Sequence, residues 1–231
     1  MSRLTKSLVL VVWNELEGCK ADLPRLPRDQ FDEVFAIDGH STDGTPEFLL
    51  SQGITVHRQR RKSLNAAYAD AVACSKCDAI VVFFPKGTLD PAITLEMARR
   101  LDEGHEVVIA SRNLPGAHNE EDEKLFKPRK WGIGALSVGS ALLWQRRGDR
   151  VRDVLHGVKG FTVAAYRRMR IAETGVTIDL EMVVRAYRLG IPTLEIPVHE
   201  KVYLHGQTRF PIWRTGWRLG AFLFRELFRK H

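Results

Sequence analysis

The stretch from Glu33 to Glu47, EVFAIDGHSTDGTPE, constrains this chain most. Its apolar run Val34–Ile37 has no polar alternation, the pattern of a strand buried on both faces. The run stops at Asp38-Gly39, so a carboxylate stands at the carboxyl end of a buried strand. Open α/β sheets bind ligands at that edge. Gly39 and Gly44 punctuate a turn, Thr45 reads as a helix N-cap, Pro46 fits the first helical position, and Glu47 complements the helix dipole. The unit is strand, carboxylate-bearing loop, helix. Asp43 lies in Ser-Thr-Asp-Gly-Thr, which makes a capped turn with no ligand. No cap or turn demands Asp38, which points to ligand contact there.

The same alternation repeats along the chain. Residues 7–13, 54–57, 79–84, 106–110, 161–166 and 193–198 read as further strands, with 79–84 (AIVVFF) apolar enough to be central. Pro24 and Pro27 limit residues 19–30 to one short helix and a loop. Residues 63–75 are an Ala-rich helix, Asp90-Pro91 starts another, and 179–189 is amphipathic with Asp179 and Glu181 in its first turn and Gly190 just beyond its end. Residues 113–128 form a loop long enough for a lid or a partly disordered segment. Residues 129–147, apolar with basic ends, suit either an interfacial helix or one buried beside the sheet.

A chain of 231 residues is long enough for one large α/β domain with a full core. Net charge is +7 and the pI is near 9.5, which favours anionic partners. Three cysteines make no disulfide framework and suit a reducing compartment, and Cys74-Ser-Lys-Cys77 is a single pair read as packing or surface. The first apolar run ends at Asn14-Glu15 without a small-residue cleavage site, so it reads as a strand and not a signal peptide. No stretch reaches the ~18 apolar residues of a membrane span. No recognition helix or aromatic single-strand platform supports nucleic-acid binding.

IDGHSTDGT resembles the (V/I)D(D/G)GSTDGT segment of family 2 glycosyltransferases, enzymes of the GT-A fold that use nucleotide sugars. Other segments follow in the family's order: VVWNELEG near its P-x-Y-N-E opening, Ser111-Arg112 near G-S-R, Asp153 with Gly160-Phe161 near D-x-x-x-G-F, Asp179 and Glu181 at its acidic pair, LEIPV near its last strand, and His205–Arg209 near R-x-x-G-x-S-K. The resemblance implies a three-layer α/β sandwich with a mostly parallel central sheet over residues 1–211, followed by a basic amphipathic helix at 212–231. It also implies inverting transfer of a sugar from a nucleotide diphosphate. Asp179, with Glu181, would supply the catalytic base. Asn14, Glu15, Asp38 and Asp43 would hold the nucleoside. Arg112, Gln207, Thr208 and Arg209 would meet the diphosphate. The sequence alone equally allows Asn14 to be a helix cap.

One departure is chemical. The family's Asp-x-Asp, which holds Mg²⁺ or Mn²⁺ on the donor, is replaced by Pro85 and Gly87 around Lys86. Hard divalent cations need carboxylate oxygens. Lys86 then either stands in for the metal as a fixed ammonium or is a solvated turn residue. The basic run Arg58, Arg60, Arg61, Lys62 is either a solvated face or a phosphate-facing rim. The tail aligns Trp213, Trp217, Phe224 and Phe228 on one stripe, widened by Ile212, Leu219, Leu223 and Leu227, with arginines on the opposite rim, which suits an interfacial helix or else a core-packing or dimer helix. The chain resembles polyprenyl-phosphate sugar transferase domains without their spans. That implies a lipid-phosphate or glycan acceptor and a cytoplasmic enzyme lying on the inner face of an anionic membrane. The alternative is a silent relative that binds a nucleotide or a membrane-bound partner without transfer.

Overall fold

The computed structural model describes residues 3–118, 127–201 and 212–229. Among the described residues seven strands form one sheet: β1 Lys6–Val12, β2 Glu33–Asp38, β3 Thr55–Arg58, β4 Ala79–Phe83, β5 Val107–Ser111, β6 Lys159–Thr162 and β7 Thr193–Pro197. Their order is β3-β2-β1-β4-β6-β5-β7. Only β6 runs antiparallel to its neighbours. The run at 79–84 is thus the middle strand of the sheet. Winding goes outward through β2 and β3, then crosses back to β4. The reversal falls between β1 and β4, which is where open α/β sheets make their binding crevice.

Every residue of β1, β4 and β5 is buried, because helices cover both faces. One face takes Val9, Val11, Ile80, Val82 and Ile109 against α3 (Leu64–Cys74), α5 (Pro128–Trp144), α6 (Val163–Met169), α7 (Ile178–Leu189) and α8 (Ile212–Leu227). The other takes Leu8, Leu10, Val12, Val81 and Phe83 against α1 (Leu16–Asp22), α2 (Thr45–Ser51) and α4 (Ile93–Asp102). This is the three-layer sandwich expected from sequence.

Local differences have local causes. Thr45 is not the cap of α2: Gly44 holds that place at φ 90°, and Thr45 is the first helical residue. The strand expected at 161–166 ends at Thr162, whose hydroxyl accepts from the Ala165 amide and starts α6. Helix α1 begins at Leu16, and Pro24 and Pro27 leave two short 3-10 turns after it. Asp90 accepts from the Ala92 amide, one turn before α4 begins at Ile93.

Helix α8 is part of the body of the protein. Leu219 and Phe222 are buried in the same cluster as α7, and Glu226 is 3% exposed. Its outer side leaves Trp217, Phe224, Leu227 and Phe228 in solvent. Of the stripe expected from sequence, Trp217, Phe224 and Phe228 lie in solvent, while Leu219 at its edge is buried in the core. No helix among the described residues is long and apolar enough to cross a membrane. Phe222→Ala should cost about 3 kcal/mol of unfolding free energy in urea titration, as a core aromatic does. An appended tail would give no change.

Candidate active site

The loops after β1, β2 and β3 meet at the carboxyl edge of the sheet and are tied together by their own polar groups. Asn14 sits at φ 52°, a left-handed conformation that asparagine tolerates. Its amide donates to Ser41 Oγ at 2.8 Å and its Oδ1 accepts from the Thr42 amide at 2.7 Å. Asn14 is a cross-loop tie and not a helix cap. Glu15 is buried, and its amide donates to Thr45 Oγ1. Asp43 accepts from the Leu16 amide and from both the amide and hydroxyl of Thr45. Burial works to raise its pKa, but those bonds outweigh burial and lower it. Asp38 accepts from the amides of His40 and Ser41. The expectation that no turn requires Asp38 is corrected: its carboxylate forms the turn that follows β2.

His40 occupies φ 67°, in the place where the resembling segment has glycine. Two bonds hold it: Nε2 lies 3.0 Å from the Gln59 carbonyl, and Arg58 Nε donates to Nδ1 at 2.9 Å. The ring is thereby the Nε2–H tautomer. Lys62 Nζ stands 4.3 Å from the Trp13 ring centroid, a cation–π distance. Arg60 is bonded to Asp70 through its amide and its Nε. All four residues of the basic run are exposed, and Arg61 faces Glu173.

The loop after β4 packs on α1. A Cβ on Gly18 would lie 2.7 Å from Lys86 Cα and press on the Pro85 carbonyl, so only glycine fits. Asp22, fully buried on α1, accepts from the Gly87 amide at 2.8 Å. Burial raises the Asp22 pKa. Gly87 takes φ 71°. Lys86 Nζ lies 5.5 Å from the Phe84 ring centroid, and Phe84 fills the space beside Gly157. Among the described residues no group of three His, Cys, Asp or Glu side chains is placed to hold a metal ion. With Pro85 and Gly87 in the family's carboxylate places, the donor set here does not fit a hard divalent cation.

Asp179 lies in the first turn of α7, and its Oδ1 is paired with the ammonium of Lys159. Lys159 opens β6 opposite Val82 of β4 and is 0% exposed; it also donates to the His156 carbonyl. Lys159 escaped sequence reasoning, since its partner is twenty residues away. A lysine set in Gly-Val-Lys-Gly at the start of a strand was the available signal. Glu181 is different. It is 1% exposed and accepts from Asn65, Thr177, the Ala172 amide and Arg185. The catalytic assignment of Glu181 is corrected: this carboxylate is consumed in the interior. Arg112 is corrected too. Its guanidinium grips Asp153 at 2.8 and 3.0 Å and Glu200 at 2.9 Å, so its charge is already balanced. Burial opposes ionisation of Asp153, but the Arg112 guanidinium wins and holds the pKa at about 2. Burial, then Arg112, hold the neighbouring His156 down at about 4. Gln207, Thr208 and Arg209 lie outside the described residues. Two open surface depressions, one near Val34 and Ile54 and one near Cys77 and Thr162, lie at the opposite edge and contain none of these groups.

Asp179 and Lys86 therefore flank the carboxyl end of β4 at the winding reversal, beside the tied loops of β1 and β2. The fold is the GT-A architecture of sugar-nucleotide transferases. The glycosyl transferase family 2 model matches residues 7–174, and the chain belongs to that family. It is similar to the glycosyltransferase AglJ of Haloferax volcanii, 28% identical over 225 residues that are 94% of this chain and 69% of AglJ. It is also 28% identical to AglD of the same organism over 182 residues, 75% of this chain but only 28% of AglD. Among solved structures, glucosyl-3-phosphoglycerate synthase from Mycobacterium tuberculosis with Mn²⁺ and UDP-glucose superposes with a TM-score of 0.72 at 16% identity. That match covers 99% of this chain and 80% of the other. The protein is a glycosyltransferase.

Two outcomes follow from this geometry. Gly18→Ala should displace the Pro85–Gly87 loop and lower stability by about 1–3 kcal/mol, visible as a reduced thermal midpoint. An unchanged midpoint would show that the loop yields freely. His156 has a folded pKa of about 4, below the ordinary 6.5, so the unfolded chain binds its proton first. Its contribution is full above pH 6.5 and is lost as pH falls toward 4, on the order of 3 kcal/mol. His156→Asn keeps an acceptor for the Val158 amide and should flatten that part of the stability–pH curve. A slope equal to wild type would contradict it.

Proposed function

We propose that this chain is an inverting transferase that moves a sugar from a nucleotide-diphosphate donor to a lipid-phosphate or glycan acceptor, without a divalent metal, at the inner surface of an anionic membrane. The reading is supported by Asp179, paired with Lys159 opposite Val82 of β4, and by Lys86 in the loop that follows β4. In a single displacement the acceptor oxygen forms a bond to the anomeric carbon as the bond to the diphosphate oxygen breaks. Asp179 takes the acceptor proton where there is one, and the nucleoside diphosphate leaves with the electron pair. Lys86 meets the charge that develops on it, as a fixed cation does. Asn14, Glu15, Asp38 and Asp43 shape the nucleoside end through their loops, and the resemblance adds Gln207, Thr208 and Arg209 on the diphosphate. The mycobacterial neighbour is described with UDP-glucose and Mn²⁺, which supports a sugar-nucleotide donor. Lys86 in place of the family's carboxylates, and the lack of a metal-holding group of acids among the described residues, support transfer without that neighbour's Mn²⁺.

The membrane reading is supported by the outer side of α8, where Trp217, Phe224 and Phe228 lie exposed with Arg218, Arg225 and Arg229. Exposed Trp131, Leu142 and Leu143 on α5 are of the same kind. Aromatic side chains flanked by arginines suit an anionic headgroup layer.

A panel of UDP-, GDP- and dTDP-sugars, assayed for nucleoside diphosphate release with EDTA present, tests the chemistry. Activity should persist in EDTA and fall about 10²-fold or more in Asp179→Asn and in Lys86→Ala. Binding without turnover under every metal condition would favour the silent relative. For the membrane, wild type should sediment with anionic vesicles of phosphatidylcholine mixed with phosphatidylglycerol, and not with vesicles of phosphatidylcholine alone. Trp217→Ser with Phe228→Ser should leave the protein in the supernatant at an unchanged melting temperature. Sedimentation of that variant like wild type would remove α8 from the membrane contact.

A further inference from the structure

We propose that Glu226 and Arg185 form a latch through which α8 positions the first turn of α7, the turn that carries Asp179. The inference rests on the reading of Asp179 as the catalytic base and of α8 as the membrane-facing helix. Glu226 and Glu181, with Arg185 and Arg188, make a buried set of two carboxylates and two guanidiniums. Such a set is costly to break, because removing one partner strands the others in a medium that solvates them poorly.

The connections run in one direction through the fold. Glu226 Oε1 lies 2.9 Å from Arg185 Nε and 2.8 Å from Arg188 Nη1. The Arg185 Nε contact is close but not directed along its N–H, so it is held by charge rather than by a hydrogen bond. Arg188 also donates to the carbonyls of Glu226 and Arg229, closing the carboxyl end of α8. Arg185 reaches Glu181 Oε1 at 3.0 Å with Nη2, and donates to the Met169 and Arg170 carbonyls at the end of α6 with Nη1. Glu181 in turn fixes the segment before α7: it accepts from the Ala172 amide at 3.0 Å and the Thr177 hydroxyl at 3.2 Å. Asn65, fully buried on α3, donates to Glu181 and accepts from the amides of Thr177 and Ile178. Asp179 is the next residue.

So the amides that define the Asp179 turn are bonded inside a network whose far end is the tail helix. Glu226 is also the sole acid after residue 201, on a helix whose opposite side is basic and aromatic. Docking of that outer side holds α8 in place, and the latch passes the restraint to α7. Order at Asp179 and contact at the surface then form one coupled equilibrium, which requires that the surface bind the latched arrangement more tightly than the unlatched one.

Hydrogen exchange with mass spectrometry on the full chain tests this without any substrate. Glu226→Gln should speed exchange in peptides covering 172–182 by about tenfold, with β1 and β4 unchanged. Glu226→Asp, which keeps the charge, should restore part of the protection. Acceleration confined to α8, or spread uniformly over the sheet, would overturn the latch. Vesicles of phosphatidylcholine mixed with phosphatidylglycerol should slow exchange at 172–182 in wild type and not in Glu226→Gln. Slowing in α8 alone would refute the coupling. If vesicles change nothing in either protein while Glu226→Gln still loosens 172–182, the membrane reading fails and the latch stands. Loss of transfer in Asp179→Asn is scored separately, so failure of the base assignment is distinguishable from both.

Discussion

Backbone polar groups buried where strands end must find partners, and that requirement shapes the whole carboxyl edge of this sheet. The winding reverses between β1 and β4, so two loops separated by some seventy residues arrive side by side at that edge. The amides after β1 are satisfied by Ser41, Thr45 and Asp43 of the loop after β2, and the Gly87 amide after β4 by Asp22 of α1. The loops at this edge are hydrogen-bonded to one another. The free chemistry of the edge is then left to the few charged groups that are not consumed in building it.

That division sorts the charged residues. Arg112, Glu181, Asp153 and Arg185 are interior, each neutralised by a neighbour of opposite sign. Asp179 is held at one oxygen by Lys159, and Lys86 rests over a ring rather than a carboxylate. The first group gives the fold its geometry. The second stands at the end of the central strand, where a substrate would arrive. A family that usually recruits a metal for leaving-group charge has here a lysine on a loop clamped by Gly18 and Asp22.

Much of this was legible in the sequence because it is written locally. Unalternating apolar runs marked β1, β2, β4 and β5, and the acid after β2 marked the edge. Gly190 ends α7 at φ 65°, as its place after Leu189 suggested. What was not legible depends on partners far along the chain. Arg112 looked available until Asp153 and Glu200 were seen around it. Glu181 and Asp179 are two residues apart on one helix, and that rotation of roughly half a turn gives one to the interior and the other to Lys159. The tail's periodicity showed an amphipathic helix but not that Leu219, Phe222 and Glu226 would be claimed by the core. Residues 161–166 misled because valine, phenylalanine and tyrosine favour strands, whereas the Thr162 cap commits the chain to a helix.

The most direct measurement is a crystal structure of the protein with a sugar nucleotide it binds, grown in EDTA. The expected result is a diphosphate within about 3 Å of Lys86 Nζ and an anomeric carbon facing Asp179 across the end of β4. A diphosphate seated elsewhere, or one bound only when a divalent ion is restored and held by carboxylates, would contradict the assignment of Lys86.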